Sequence, residues 1–315
     1  MKIVFMGTPD FATAILETIV LSQRHEIAAV VTAVDKPGGR GMQLMQSSVK
    51  QFALKHHLPI LQPEKLKDIS FIHSLESIQA DVFVVVAFRM LPEVVWKIPP
   101  KGTINLHASL LPQFRGAAPI NWAIIHGESQ TGLTTFFIND KIDEGNIILA
   151  QSVDIEEKDN AGSLHDKLMH VGGEIILDTL EQIENNTYKE KKQASFIHLK
   201  TAPKIFKKDC LIDWKQTPQK IHNFIRGLSP YPTAFTSYMD DNNRLISFKI
   251  YASKFEIATH NLPFGMIQSD GKEYVRVACK QGFIYIEEIQ LDGKKRMPIK
   301  DFLLGNKTLH MKQCR

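Results

Sequence analysis

The chain has 315 residues, of which 43% are hydrophobic and 23% charged, and it carries three cysteines and a formal net charge of +4. These values exclude a disordered, collagen-like or disulfide-stapled chain, and at roughly 100–200 residues per domain they predict two domains. No apolar run approaches the ~18 residues of a membrane-spanning helix. Cys210, Cys279 and Cys314 lie far apart with no CxxC pair, so the sequence predicts neither a disulfide framework nor a zinc site, and a reducing, cytoplasmic location. The apolar part of MKIVFMGTPDF is too short for a signal peptide. The charge is unevenly spread: residues 1–185 sum to −7 and residues 186–315 to +11. Such asymmetry points to a polyanion partner for the C-terminal part, against the plainer alternative of solvated surface lysines.

In chain order, Lys2–Met6 is a short apolar strand ending at Gly7-Thr8-Pro9-Asp10, where a helix begins with Phe11, Ala14, Ile15, Thr18 and Ile19 at helical spacing. A second strand is expected over Glu26–Thr32, a helix from Val49 to His57 and an extended Pro59–Leu61. Asp81–Ala87 is a continuous apolar run, the pattern of a parallel strand buried on both faces. Strands are further expected at Thr103–His107, Thr131–Ile138 and Asn146–Gln151, then one long amphipathic helix over Asn160–Glu184 striped by Leu164, Leu168, Val171, Ile175 and Leu180. This alternation predicts a Rossmann-like α/β layer with an open, mostly parallel sheet over residues 1–184, whose ligands bind beyond the carboxyl ends of the strands. Residues 185–204 are polar and read as a linker. Over residues 205–315 a short helix at Thr217–Gly227 precedes short alternating runs at Leu245–Tyr251, Tyr274–Cys279 and Phe283–Glu288. These indicate a small β-barrel or sandwich, and a basic, OB-like β-barrel suited to nucleic acid is the expected form.

The motif search is mostly negative. There is no GxGxxG, Walker A, HExxH or GxSxG, which disfavours an oxidoreductase or nucleotide triphosphatase. The densest polar cluster is Asn105-Leu106-His107-Ala108-Ser109-Leu110-Leu111-Pro112, followed by Arg115-Gly116. Asn105 and His107, two residues apart on a strand, share a face at the carboxyl end of an inner strand. An Asn amide can donate to a developing oxyanion, and a His can move a proton near neutral pH. Asp143, in the turn Asn139–Gly145, can orient His107; an ordinary Asp-rich turn is the alternative. Trp122, on a helical pattern, reads as core.

Three sets of residues together resemble the methionyl-tRNA formyltransferases, within the wider 10-formyltetrahydrofolate-dependent formyltransferase family. They are Phe5–Ala12, Asn105–Pro112 with Arg115-Gly116, and Asp143-Glu144-Gly145. The likeness continues through Asp35–Gly41, Ile225–Ala234, Gly293–Met297 and Phe302–Gly305, so it spans nearly the whole chain. The resemblance implies formyl transfer from 10-formyltetrahydrofolate to the α-amine of a methionyl-initiator tRNA, in support of translation initiation. It further implies Asn105, His107 and Asp143 as the catalytic residues of a reaction that needs no metal; a monomer is expected, although the sequence does not fix the oligomeric state. By the same resemblance Phe88, Arg89, Leu91, Ser109, Leu110, Leu111 and Pro112 line the folate pocket. The resemblance also brings Arg40, in the glycine-rich insertion, to the tRNA acceptor end, against the plainer alternative of a solvent loop. The basic balance of the C-terminal part makes Lys204, Lys207, Lys208, Lys294, Lys295 and Arg296 candidates for contact with the tRNA backbone.

One stretch departs from the family pattern: Arg89 stands where a glycine is expected before Leu91-Pro92, and it either contacts the pterin or packs outside the pocket. Arg115 either binds the folate tail or clamps its own loop. Arg226 either caps a helix end or touches RNA. Two other functions stay open at this level. A formyltransferase for a small amine would share Asn105, His107 and Asp143 but leave the basic barrel without a purpose. A noncatalytic RNA-binding protein would leave the intact Asn/His/Asp set without one.

Overall fold

The computed structural model describes residues 1–38, 43–194, 198–305 and 312–314; Arg40 lies outside them. The chain forms two compact units. The first comprises Met1–Gly116, Thr131–Asp154 and His165–Thr201, and the second Ala117–Gln130, Ile155–Leu164 and Ala202–Arg315.

The first unit is built on a seven-stranded sheet. From edge to edge its strands are Ile147–Asp154, Gln130–Phe137, Thr103–His107, Val82–Val86, Lys2–Gly7, Glu26–Val31 and Ile60–Leu61. The five from Thr103–His107 to Ile60–Leu61 run parallel, and Gln130–Phe137 is antiparallel to its histidine-bearing neighbour. This is the expected Rossmann-like layer. Alternate side chains leave the sheet on opposite faces. Val4, Met6, Val31, Phe83 and Val85 therefore pack on one side, under Phe71 and Leu75 of the helix Ile69–Ile78. Ile3, Phe5, Val82 and Val84 are equally buried on the other, which is why these strands read as continuous apolar runs rather than alternating ones.

The helix Asp10–Ser22 buries Phe11, Ala12, Ile15, Leu16 and Ile19, and its first turn carries Asp10, favourable at the positive end of the helix dipole. The long helix Ala161–Glu184 comes close to it. A Cβ on Gly172 would sit 2.7 Å from Ile15 Cδ1, and one on Gly173 2.6 Å from Thr18 Oγ1. Those two glycines give the long helix its flat contact line.

Several elements went unread, among them a helix and a hairpin of this unit. The helix Ile69–Ile78 buries Phe71 and Leu75 and packs Ile72 and Ile78 against the same core, a helical spacing confined to ten residues. The glycine-rich insertion is flanked by a two-stranded antiparallel hairpin, Lys36–Gly38 with Gln43–Met45.

The second unit contains a curled antiparallel sheet in the order Ala234–Met239, Leu245–Ile257, Gly282–Leu291, Val275–Cys279 and Ile267–Ser269, with Met297–Pro298 pairing with Gly282–Leu291. This is the OB-like half-barrel that the short, closely spaced strands predict. Its core gathers Trp214, Phe248, Ile250, Val277, Ile284, Ile286 and Phe302 with Ile221, Ile225 and Leu228. The last three mark one face of the helix Pro218–Leu228, which starts on Pro218, where a missing N–H costs nothing. The strand Leu245–Ile257 is longer than its apolar run suggests. Its register shifts against Gly282–Leu291 at Ala252, and an extra residue there breaks the period-two pattern while pairing continues.

Candidate active site and its relatives

Thr103–His107 lies inside the sheet, with Val85 opposite Asn105 on one side and Phe136 opposite it on the other. Asn105 and His107 therefore project from the same face at the carboxyl end of an inner strand. His107 is 7% exposed. Its Nε2 lies 2.9 Å from the carbonyl oxygen of Phe114. A carbonyl can only accept, so Nε2 carries a hydrogen in either charge state, and Nδ1 is the nitrogen that takes up or releases a proton. Nδ1 is 3.8 Å from Asp143 Oδ2, beyond direct hydrogen bonding but close enough for a proton on Nδ1 to sit beside a carboxylate. Asp143 is anchored in turn: its Oδ2 accepts the Gly116 N–H at 2.9 Å. The backbone there has φ of +53°, a left-handed conformation that Asp tolerates better than most residues. Half-buried Asn105 has no hydrogen-bond partner for its amide among the described residues, so that donor is available. The three residues that the sequence singles out are thus gathered in the first unit.

The loop after the histidine strand is tied down by Thr134, the residue opposite His107. Its hydroxyl donates to the Ser109 carbonyl at 2.7 Å and accepts the Leu111 N–H at 3.1 Å. The Ser109 hydroxyl donates to the Gln113 carbonyl. Ser109, Leu111 and Pro112 are buried, and Leu110 is half-buried. In the loop after Val82–Val86, Leu91 joins the core and Phe88 packs against it. Arg89 is exposed; it donates to the carbonyls of Pro63 and Glu64 at 2.9 and 3.0 Å and stands 5.2 Å from the centre of the Phe88 ring. The guanidinium thus fastens two loops together.

Arg115 ties its loop to two other segments rather than closing it on itself. Its Nη1 pairs with Glu144 at 2.8 Å, and its Nε and Nη2 donate to Gln193 Oε1. Gln193 lies in the stretch read as a linker, and nothing in its polar, aperiodic surroundings singles it out. Arg226 is likewise a clamp, donating to Asn223 Oδ1 and to the carbonyls of Glu156 and Asp159. At the foot of the Lys36–Gly38 hairpin, hydrogen bonds from Lys50 and Gln62 hold the Asp35 carboxyl below the usual carboxylate range.

The candidate RNA contacts lie in the second unit. Lys207 and Lys208 are exposed, and Lys207 lines a cleft of about 410 Å³ with Tyr231, Phe235 and Lys249. Lys294 and Lys295, also exposed, border a smaller hollow with Leu291, Met297 and Phe302. Arg296, exposed beside them, has its guanidinium on Glu288 and 4.5 Å from the centre of the Tyr251 ring.

Comparison with known proteins bears on the chain as a whole. Residues 1–180 match the formyl transferase family model and residues 204–307 match the formyl transferase C-terminal domain. The chain belongs to the formyl transferase family. A methionyl-tRNA formyltransferase of Azobacteroides pseudotrichonymphae is 50% identical over 98% of this chain and 97% of its own length. That of Bacteroides thetaiotaomicron is 48% identical over 97% of this chain and 95% of its own. Among solved structures, the sugar 3N-formyl transferase WlaRD, crystallised with dTDP and 5-N-formyl-THF, superposes with a TM-score of 0.66 at 23% identity. It covers 94% of this chain and 99% of its own, a likeness of fold. No described helix of this formyl transferase is long and apolar enough to cross a membrane.

Proposed function

We propose that this chain transfers the formyl group of 10-formyltetrahydrofolate to the α-amine of methionyl-initiator tRNA, and so serves translation initiation. The observation that carries the chemistry is the orientation of His107. With Nε2 spent on the Phe114 carbonyl, the free Nδ1 stands beside Asp143. Near-full-length identity of about half to relatives named methionyl-tRNA formyltransferase supports the acceptor.

In this reading the neutral amine attacks the formyl carbon and forms the new C–N bond, and the formyl oxygen gains negative charge. Asn105 donates to that oxygen, an interaction whose loss typically costs ~10²–10³ in rate. Nδ1 of His107 takes the proton that the amine must shed and returns it to the departing N10 as the old C–N bond breaks. General acid–base work of this kind is worth ~10²–10⁴. Asp143 stabilises the imidazolium between the two transfers. The folate is received by the two loops that follow the inner strands. Phe88 and Leu110 present half-buried apolar faces to it, while Leu91, Ser109, Leu111 and Pro112 shape the wall from beneath and Arg89 holds the first loop in place. Lys207, Lys208, Lys294 and Lys295 meet the tRNA phosphates. Arg296, paired with Glu288, supports that surface, and Arg40 reaches the acceptor end from the glycine-rich insertion.

The test is formyl transfer by His107→Ala and Asn105→Ala with methionyl-initiator tRNA, alongside tRNA affinity. Turnover falls by at least ~10² in each, while affinity stays within about threefold. Retained turnover, or activity lost only in proportion to binding, overturns the assignment.

A further inference from the structure

Asp143 sits on a turn, and a turn must be held if a carboxylate on it is to stay beside an imidazole. The holding contacts converge on one side chain. Gln193 donates both hydrogens of Nε2, to the carbonyls of Asp143 and Gly145 at 2.8 and 2.9 Å. Its Oε1 accepts from Nε and Nη2 of Arg115 at 3.1 and 2.6 Å. Both donors of this amide are therefore spent on the turn. Arg115 reaches the same turn a second way, through the Glu144 carboxylate. Its backbone neighbours complete the bracket: the Phe114 carbonyl fixes His107, and the Gly116 N–H fixes the Asp143 carboxylate. The segment carrying Gln193 is itself docked. Lys191 and Ile147 exchange both backbone hydrogen bonds, at 2.8 and 2.9 Å, and Asn146 donates to Glu190 at 2.6 Å.

We infer that Gln193 and Arg115 are positioning residues for formyl transfer: as a latch across the turn Asp143–Gly145 they set the placement of Asp143 at His107. The inference rests on His107 and Asp143 being the proton-moving pair. It gives the stretch after the long helix a part in the chemistry of the first unit. It also separates two roles within one side chain, the amide nitrogen holding the turn and the amide oxygen holding Arg115.

Small misplacements of a catalytic group cost up to ~10²-fold in rate. In steady-state formyl transfer, Gln193→Leu therefore lowers kcat about 10- to 100-fold, while KM for tRNA and for the formyl donor stays within about threefold. Gln193→Glu keeps an acceptor for Arg115 but turns an oxygen toward two carbonyls, so it falls as far as Gln193→Leu. In an Asp143→Asn background, Gln193→Leu costs no more than a further factor of about two, because the two changes act through one contact. Should Gln193→Leu fail to fold, Arg115→Lys carries the test. It keeps a cation for Glu144 but cannot fork onto the Gln193 oxygen, and it lowers kcat at unchanged KM. Overturning results are a kcat for Gln193→Leu (or for Arg115→Lys, where that carries the test) within twofold of wild type, wild-type kcat in Gln193→Glu, or fully multiplicative losses with Asp143→Asn. Wild-type protein that transfers no formyl group instead refutes the proposed function itself.

Discussion

Replacing Gly145 by alanine probes the turn most sharply. A Cβ at Gly145 would lie 1.6 Å from the Phe137 carbonyl oxygen and 2.9 Å from Phe136 Cδ2. A carbon and a carbonyl oxygen approach to about 3.3 Å at closest, so the backbones must part by about 1.7 Å. Phe137 cannot supply that movement cheaply, because it pairs with Ile104 and the next residue, Ile138, donates to the Thr103 carbonyl at 2.8 Å. The turn must give instead, and Asp143 lies two residues away on it. The overpacking costs about 1–3 kcal/mol. The displaced carboxylate costs up to ~10²-fold in kcat. Both are measurable, the first by denaturant unfolding and the second by single-turnover formyl transfer under saturating substrates. The reasoning fails if Gly145→Ala keeps kcat within twofold of wild type while remaining folded.

Other consequences are more local. If Lys294 and Lys295 each neutralise a phosphate, Lys294→Ala and Lys295→Ala each lower the slope of log affinity against log salt by about 0.7–0.9, and unchanged slopes remove them from the interface. The Trp214 indole N–H donates to the buried Thr236 hydroxyl at 3.0 Å. Thr236→Val leaves that donor unpaired and costs about 1–3 kcal/mol in urea unfolding; no loss would mean that the indole finds another acceptor. Burial, then the charge of Arg226, holds the His222 imidazole below its ordinary value; burial, then the N-terminal ammonium, does the same for His25. Below the ordinary value of about 6.5, the unfolded chain binds more protons than the folded one, so stability rises with pH across that window. Folding stability measured from acid toward neutral pH should therefore climb, and His222→Gln should flatten the climb; an equal slope in the variant would contradict it.

The parallel strands announced themselves because Val82–Val86 and residues 3–6 are buried on both faces and so are apolar throughout. Asn105 and His107 were legible because a two-residue spacing on a strand fixes a shared face. Asp143 was different: a turn brings it to His107 from a distant part of the chain, and only the family resemblance selected it. Gln193 left no trace, because its role depends on hydrogen bonds to backbone carbonyls that no side-chain pattern encodes. Arg89 shows the converse limit. Its position beside Leu91-Pro92 left pterin contact and packing outside the pocket equally open, and its partners in the structure are the carbonyls of Pro63 and Glu64. Composition does not distinguish an arginine that fastens loops from one that meets a ligand; Arg115 and Arg226 were open for the same reason.

The central claim is most directly tested by offering one preparation methionyl-initiator tRNA, methionyl-elongator tRNA and small amines side by side, with labelled 10-formyltetrahydrofolate. The account predicts rapid labelling of the initiator alone, abolished in His107→Ala. Labelling of a small amine in preference to the initiator, or undiminished labelling by His107→Ala, would contradict it.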